Sequence, residues 1–191
     1  MLDTSICFIA SVRSIHTRRW VSAFAGRDDY DVTLLSPSGP PPPESDLGEA
    51  KVIFFQPPSR DQPRVKRSLR VAQNYWQIRR YVLQQGFDIV HVHQLPQPAT
   101  VPFFWRLPKL VVSTWGSDIV DFEGHPRNRL RNPSRRFVLR QAQVITSTSE
   151  FLAEATRAYA PQDKTIHVVP FGIDLNVFRP KRGSSLPSRP V

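Results

Sequence analysis

The chain has a single cysteine, Cys7, inside an apolar run, so no disulfide can form within it and a cysteine-based zinc site is excluded. That usage fits a reducing compartment. It has no apolar stretch near the ~18 residues that a membrane span needs. Met-Leu-Asp-Thr-Ser at the start carries no basic n-region. Glycine is scarce, eight residues, and no two of them are spaced G-x-G, which removes the dinucleotide fingerprint. Also missing are G-x-x-x-x-G-K-[ST], H-E-x-x-H and G-x-S-x-G. Acidic residues are outnumbered, 16 against 26 basic, and only five of the basic ones are lysine.

The arginine-rich remainder gives a net charge of +10. A guanidinium fork suits phosphate and carboxylate, so anionic partners are one reading and a solvated basic surface is the other. Aromatics do not interleave with the basic residues in an RNP-like pattern, so no nucleic-acid partner is expected. At 191 residues one domain is expected, and the apolar fraction of 40% suits a globular core.

Seven short apolar, β-branched runs recur at 5–11, 31–37, 51–57, 88–94, 109–116, 143–149 and 165–172. Near-continuous runs of this kind read as strands buried on both faces. Helical patterns lie between most of them. One spans 16–26 with Trp20, Val21 and Phe24 on one face. Another spans 64–85 with an apolar stripe of Val65, Leu69, Ala72, Trp76 and Leu83. A third is expected to open with Asn132 as N-cap and Pro133 at its first position. Ser147 and Glu150 are spaced as a capping box for a fourth. Strands alternating with helices predict a Rossmann-like, doubly wound, mainly parallel sheet of about seven strands. The Pro-rich piece 36–50 is read as a surface loop, and 181–191 as a polar disordered tail.

In such sheets ligands bind at the carboxyl ends of the strands. Candidate residues therefore follow each strand: Arg13, His16 and Arg19 after the first, His93 and Gln94 after the fourth, Trp115, Gly116, Ser117 and Asp118 after the fifth. His16 reads as a site residue or as a plain helix start. Asp118 reads as a catalytic carboxylate or as a turn residue, and Glu150 as a cap. His91 and His93 share a strand face as two metal ligands might, but no third ligand stands nearby in sequence. The helix at 64–83 mixes Arg64, Lys66, Arg67, Arg70, Arg79 and Arg80 with aromatics. Such a helix suits an anionic membrane surface, or else Trp76 is core and the arginines are solvated.

The series "DVTLLS", "FDIVHVH", "LVVSTWGSD", "AQVITSTSEFL" and "HVVPFGIDLNVFRP" resembles the amino-terminal domain of family 4 GT-B glycosyltransferases over about residues 5–180. The resemblance implies the acceptor-side domain (1–180) of a retaining enzyme that transfers a sugar from a nucleotide-sugar to an acceptor hydroxyl. It implies that Pro170-Phe171-Gly172 leads toward a donor-binding domain. In the family that second domain carries two glutamates eight residues apart. No two glutamates here are so spaced. The donor partner is thus expected to be held through a second domain or subunit, and this chain to be inactive alone.

By the same resemblance the catalytic candidates are Asp118 and His16. His93, Gln94, Trp115, Gly116 and Ser117 would hold a glycan or lipid-linked acceptor, and Arg13 and Arg19 would face the donor phosphate. No cofactor is expected. The location implied is cytoplasmic, at most peripheral at the inner membrane face. The family's Gly-rich first loop is replaced by "SVRSIHT", and the position before Gly116 is Trp where the family often has His. A non-catalytic module docking a separate donor-binding chain is the alternative.

Overall fold

The computed structural model describes residues 3–59, 61–120, 128–173, 175 and 178, without the side chains of 128–130. The expected 181–191 tail lies outside them.

Seven strands form one parallel sheet: β1 Thr4–Ile9, β2 Tyr30–Ser36, β3 Lys51–Phe54, β4 Ile89–His93, β5 Leu110–Thr114, β6 Val144–Ser147 and β7 Ile166–Val168. Their spatial order is β3-β2-β1-β4-β5-β6-β7. The order reverses between β1 and β4, where Ile6 pairs with Ile89 and Ile9 with Val92. Loops leaving those two strands diverge to opposite sides and leave a crevice at their carboxyl ends. The doubly wound architecture read from the alternating pattern is therefore the one present.

The sheet separates two cores, and β1 sends its side chains alternately into both. From β1, Ile6 and Phe8 join Val21, Val32 and Leu34 under α1 (Ile15–Ala25). Cys7 and Ile9 point the other way, to a larger core with Ile78, Val82, Leu110, Val138 and Ile145. That core is closed by α2 (Arg64–Gln85), a 3-10 helix at Pro98–Phe104, α3 (Asn128–Gln141) and α4 (Glu150–Arg157). Burial on both sides of the strands explains their near-continuous apolar sequence. It also pushes the Cys7 thiol up, leaving it an inert core residue.

Three local expectations are corrected. Helix α3 starts at Asn128, so Pro133 lies inside it rather than at its first position. Pro133 lacks the N–H for one helical bond and crowds the preceding turn, and the helix nevertheless runs on to Gln141. The cap of α4 is Ser149, whose Oγ accepts the Leu152 N–H at 3.2 Å. Ser147 instead is buried in β6 and shares a 2.6 Å hydrogen bond with Thr114 Oγ1, so there is no capping box.

The third correction concerns α2, whose bounds are those expected. Its stripe is not core: Val65 is 71% exposed, Leu69 65% and Trp76 54%. The face against the sheet is Asn74, Ile78 and Val82, spaced i, i+4, i+8. It lies about 150° around the helix from the stripe. Asn74 can be buried because its Nδ2 donates to the Gln56 carbonyl at 2.9 Å. Gly86 ends the helix at φ 66°, a left-handed turn that glycine enters without a Cβ penalty.

Candidate functional site

The loop after β1 turns sharply without glycine. The Ala10 N–H donates to the Leu35 carbonyl, and the Val12 N–H to Ser36 Oγ at 3.2 Å. These bonds hold the loop against β2 and place the start of α1 above the β1/β4 crevice. Ser14 caps α1 by position but makes no side-chain cap bond, and no acidic residue occupies the first turn. The first N–H groups of α1 thus face the crevice with no protein carboxylate in the first turn.

His16 projects from this turn. Its ring stacks on Phe171 of the exit segment, with centroids 3.8 Å apart and planes at 11°. Both rings meet Trp115 edge-on, at 5.9 and 5.2 Å. Trp115 in turn lies 4.5 Å from His93, at the end of β4. Beneath them Trp20 and Phe8 contact His93 at 5.7 and 5.3 Å. Three residues expected from separate strand ends, His16, His93 and Trp115, are therefore one aromatic cluster.

Burial holds the His93 imidazole well below its ordinary range, and the neighbouring His91 adds to this. His91 is lowered to about 4 by burial, and its Nε2 shares a 2.7 Å hydrogen bond with Ser113 Oγ. Both rings are neutral near pH 7. His93 Nδ1 lies 3.4 Å from Thr17 Oγ1. Its Nε2, like His16 Nδ1, is buried and has no hydrogen-bond partner among the described residues. A neutral imidazole nitrogen beside an indole plane can bond one hydroxyl while the indole stacks on an apolar ring face. Among the described residues no three His, Cys, Asp or Glu gather as a metal site would require.

Asp118 is 8% exposed, and both its oxygens are engaged. Oδ1 accepts the Gly116 N–H at 2.8 Å and the Trp115 N–H at 3.1 Å, while Oδ2 accepts the Leu95 N–H at 2.9 Å. The carboxylate clamps the loop after β5 to the loop after β4. Of its two readings, turn residue or catalytic group, this geometry favours the turn. Gly116, at φ 149°, completes the turn with backbone few side-chain-bearing residues adopt.

Gln94 stands exposed at φ 66°, its N–H donating to the Ser113 carbonyl at 2.9 Å. A non-glycine residue held there at a strand end is the kind of outlier that accumulates at ligand sites. Ser117 is exposed at the rim. Arg13 is exposed in the first loop. Arg19 Nη1 donates to the Gly172 carbonyl at 3.1 Å, latching α1 to the exit segment. Between α1 and the exit segment lies an open cavity of about 530 Å³, lined by His16, Arg19, Trp20, Phe24, Phe171 and Ile173.

Three contributors escaped the sequence reading. Phe171 was visible only as part of the exit motif, and Trp20 as a core position. Arg135 is buried and its Nε donates to the Asp118 carbonyl at 2.9 Å, supporting the clamp from α3. An arginine among many carries no sequence signal of such a role.

The sequence profile of Glycosyltransferase Family 4 matches residues 14–177. No curated protein matches the chain. Among solved structures, sucrose-phosphate synthase from Thermosynechococcus elongatus superposes at TM-score 0.68 with 16% identity. That match covers 93% of this chain and 50% of the synthase. A shorter form of the same synthase gives 0.58 and 16%, covering 91% and 92%. UDP-N-acetylglucosamine 2-epimerase from Rickettsia bellii gives 0.56 and 12%, covering 86% and 44%. At these identities the likeness is one of fold, and the chain spans about half the length of the full-length synthase.

Proposed function

Because this chain belongs to glycosyltransferase family 4, we propose that it is the acceptor-side domain of a retaining glycosyltransferase. In this reading the bond from the anomeric carbon to a nucleotide diphosphate breaks and a bond to an acceptor oxygen forms on the same face. The acceptor's hydroxyl proton leaves with the departing diphosphate. The chemistry needs a cleft that neutralises the diphosphate and tolerates positive charge at the anomeric carbon.

The observation that carries the reading is the unpartnered His93 Nε2 beside the Trp115 indole, at the sheet's switch point. Trp115 stacks on the acceptor ring. His93 and His16 bond its hydroxyls, and Gln94 and Ser117 border it. Arg13 and the open start of α1 face the diphosphate, and Arg19 acts at the exit segment. Asp118 serves as a positioning residue that fixes Trp115 and Gly116. The donor is held by a second domain or a separate chain, since no two glutamates here stand eight residues apart. A glycan or lipid-linked acceptor fits an aromatic site with neutral hydrogen-bonding groups.

Titration calorimetry against a panel of oligosaccharides, with UDP- and GDP-sugars alongside, tests this. At least one glycan should bind, and Trp115→Ala should weaken it about tenfold or more, the loss of one stacking contact. Tight binding of a nucleotide-sugar with none of any glycan would place the donor, not the acceptor, on this domain.

A further inference from the structure

A groove of about 420 Å³ runs between α2 and the 3-10 helix at Pro98–Phe104. Both elements pack on the side of the sheet opposite α1, so the sheet separates the groove from that helix. The α2 wall has two rows. Ala72, Trp76 and Arg80 recur at every fourth residue, with Gln73 and Gln77 beside them. Phe103 forms the opposite wall. That wall is fixed: Arg79 Nη1 donates to the Phe103 carbonyl at 3.1 Å and to the Trp105 carbonyl at 2.5 Å. Below it the buried Phe104 packs on Tyr75, with ring centroids 5.9 Å apart. The groove is therefore formed before any ligand arrives.

Its lining brings three chemistries together. Trp76 offers an exposed indole plane, and Gln73 and Gln77 offer two exposed amides one turn apart. Arg80 offers a guanidinium, 5.9 Å from the Trp76 ring centre. Among the described residues no acidic side chain lines the groove, and α2 contains none. A purely apolar ligand would leave both amides and the guanidinium unused, and a bare phosphate would leave the indole unused. A sugar uses all of them. Its C–H face stacks on the indole, and neighbouring hydroxyls meet amides that both donate and accept. The guanidinium fork fits a carboxylate on the same ring or the next. The volume is that of a small-ligand pocket, enough for a short stretch of a saccharide chain.

We propose that the groove between α2 and the 3-10 helix is a saccharide site for uronate-bearing chains, with a sugar face on Trp76 and a carboxylate on Arg80. It stands on residues that the sugar-transfer reading does not use, so either can fail without the other.

The test is titration calorimetry of the 191-residue chain with short oligogalacturonates and oligoglucuronates, and with their neutral galactose and glucose counterparts. At least one uronate chain should bind more tightly than its neutral counterpart. Trp76→Ala should weaken it about tenfold, the loss of one stacking contact. Arg80→Gln should weaken it about tenfold or more and remove the preference over the neutral chain, the loss of one charge-assisted contact. Gln73→Ala with Gln77→Ala should also weaken it. Trp105→Ala with Arg106→Gln removes an equivalent ring and charge from outside the groove, and should leave binding within about threefold. Thermal melts of all variants should match the parent. Equal weakening by that control pair would reduce the effect to surface charge and overturn the proposal. So would equal binding of neutral and uronate chains, no binding of any uronate chain, or binding lost with Trp115→Ala rather than Trp76→Ala, which would assign the sugar to the strand-end cluster.

Discussion

Helices α1 and α2 follow strands β1 and β3, which flank β2 in the sheet, yet use their apolar residues in opposite ways. On α1, Trp20, Val21 and Phe24 all turn toward the sheet, and Phe24 packs on Phe8 at 5.9 Å. On α2 the more continuous stripe faces away, and the sheet takes a strip that includes an asparagine. The difference is one of length and support. An 11-residue helix over two strands has one face to bury. A 22-residue helix, about 33 Å long, outruns the sheet beneath it. Hydrophobic periodicity establishes that α2 is a helix. It does not say which of two apolar lines packs.

Substitutions under each helix give the largest test of this contrast. Phe8→Ala removes a fully buried ring between α1 and β4 and should cost about 3–5 kcal/mol. Leu69→Ala, on the outer line of α2, should stay within about 0.5 kcal/mol. Urea unfolding measures both. A Leu69→Ala cost approaching that of Phe8→Ala would mean the α2 stripe packs on protein after all.

The site beside α1 also holds two buried imidazoles. His91 and His93 are neutral when folded and take up protons near pH 6.5 when unfolded. Between those limits the unfolded chain binds more protons, so stability must fall as pH drops from about 6.5 toward about 4. His91 alone contributes about 3 kcal/mol of this loss, from the difference between 6.5 and about 4. Asp88 acts in a lower window. Hydrogen bonds from Lys109 and then Ser5 bring its carboxyl down to about 2, and that stabilisation disappears as pH falls from about 4 toward 2. Melting temperature followed against pH separates the two. His91→Gln should make the upper window shallower, with His93 keeping the remainder, and leave the lower one. An unchanged profile in that variant would mean His91 is not the buried neutral group described.

What was legible in the sequence follows physical rules that act locally. Strands buried on both sides announce themselves, and the order of apolar runs carried the seven-stranded parallel sheet and the family. The carboxyl-edge positions of His16, His93 and Trp115 followed from strand ends alone. Their mutual contact did not, because Phe171 reaches them from the far end of the chain. Asp118 was visible as a carboxylate in a turn, but its three amide partners come from two loops. Asn132 and Pro133 misplaced the start of α3, since a proline tolerated within a helix looks the same as one that opens it. The Ser147–Glu150 spacing mimics a capping box because spacing cannot tell a buried strand hydroxyl from a half-buried one two residues later.

The proposal is that this domain presents an acceptor site and takes its donor from another domain or chain. Nucleotide release from a panel of UDP- and GDP-sugars tests it most directly, with the 191-residue chain alone and a range of glycan acceptors present. Release is expected no faster than in the enzyme-free control with every donor. Sustained release above that control, abolished by Trp115→Ala or His93→Ala, would show that the chain holds and activates the donor itself, and would contradict the acceptor-side assignment.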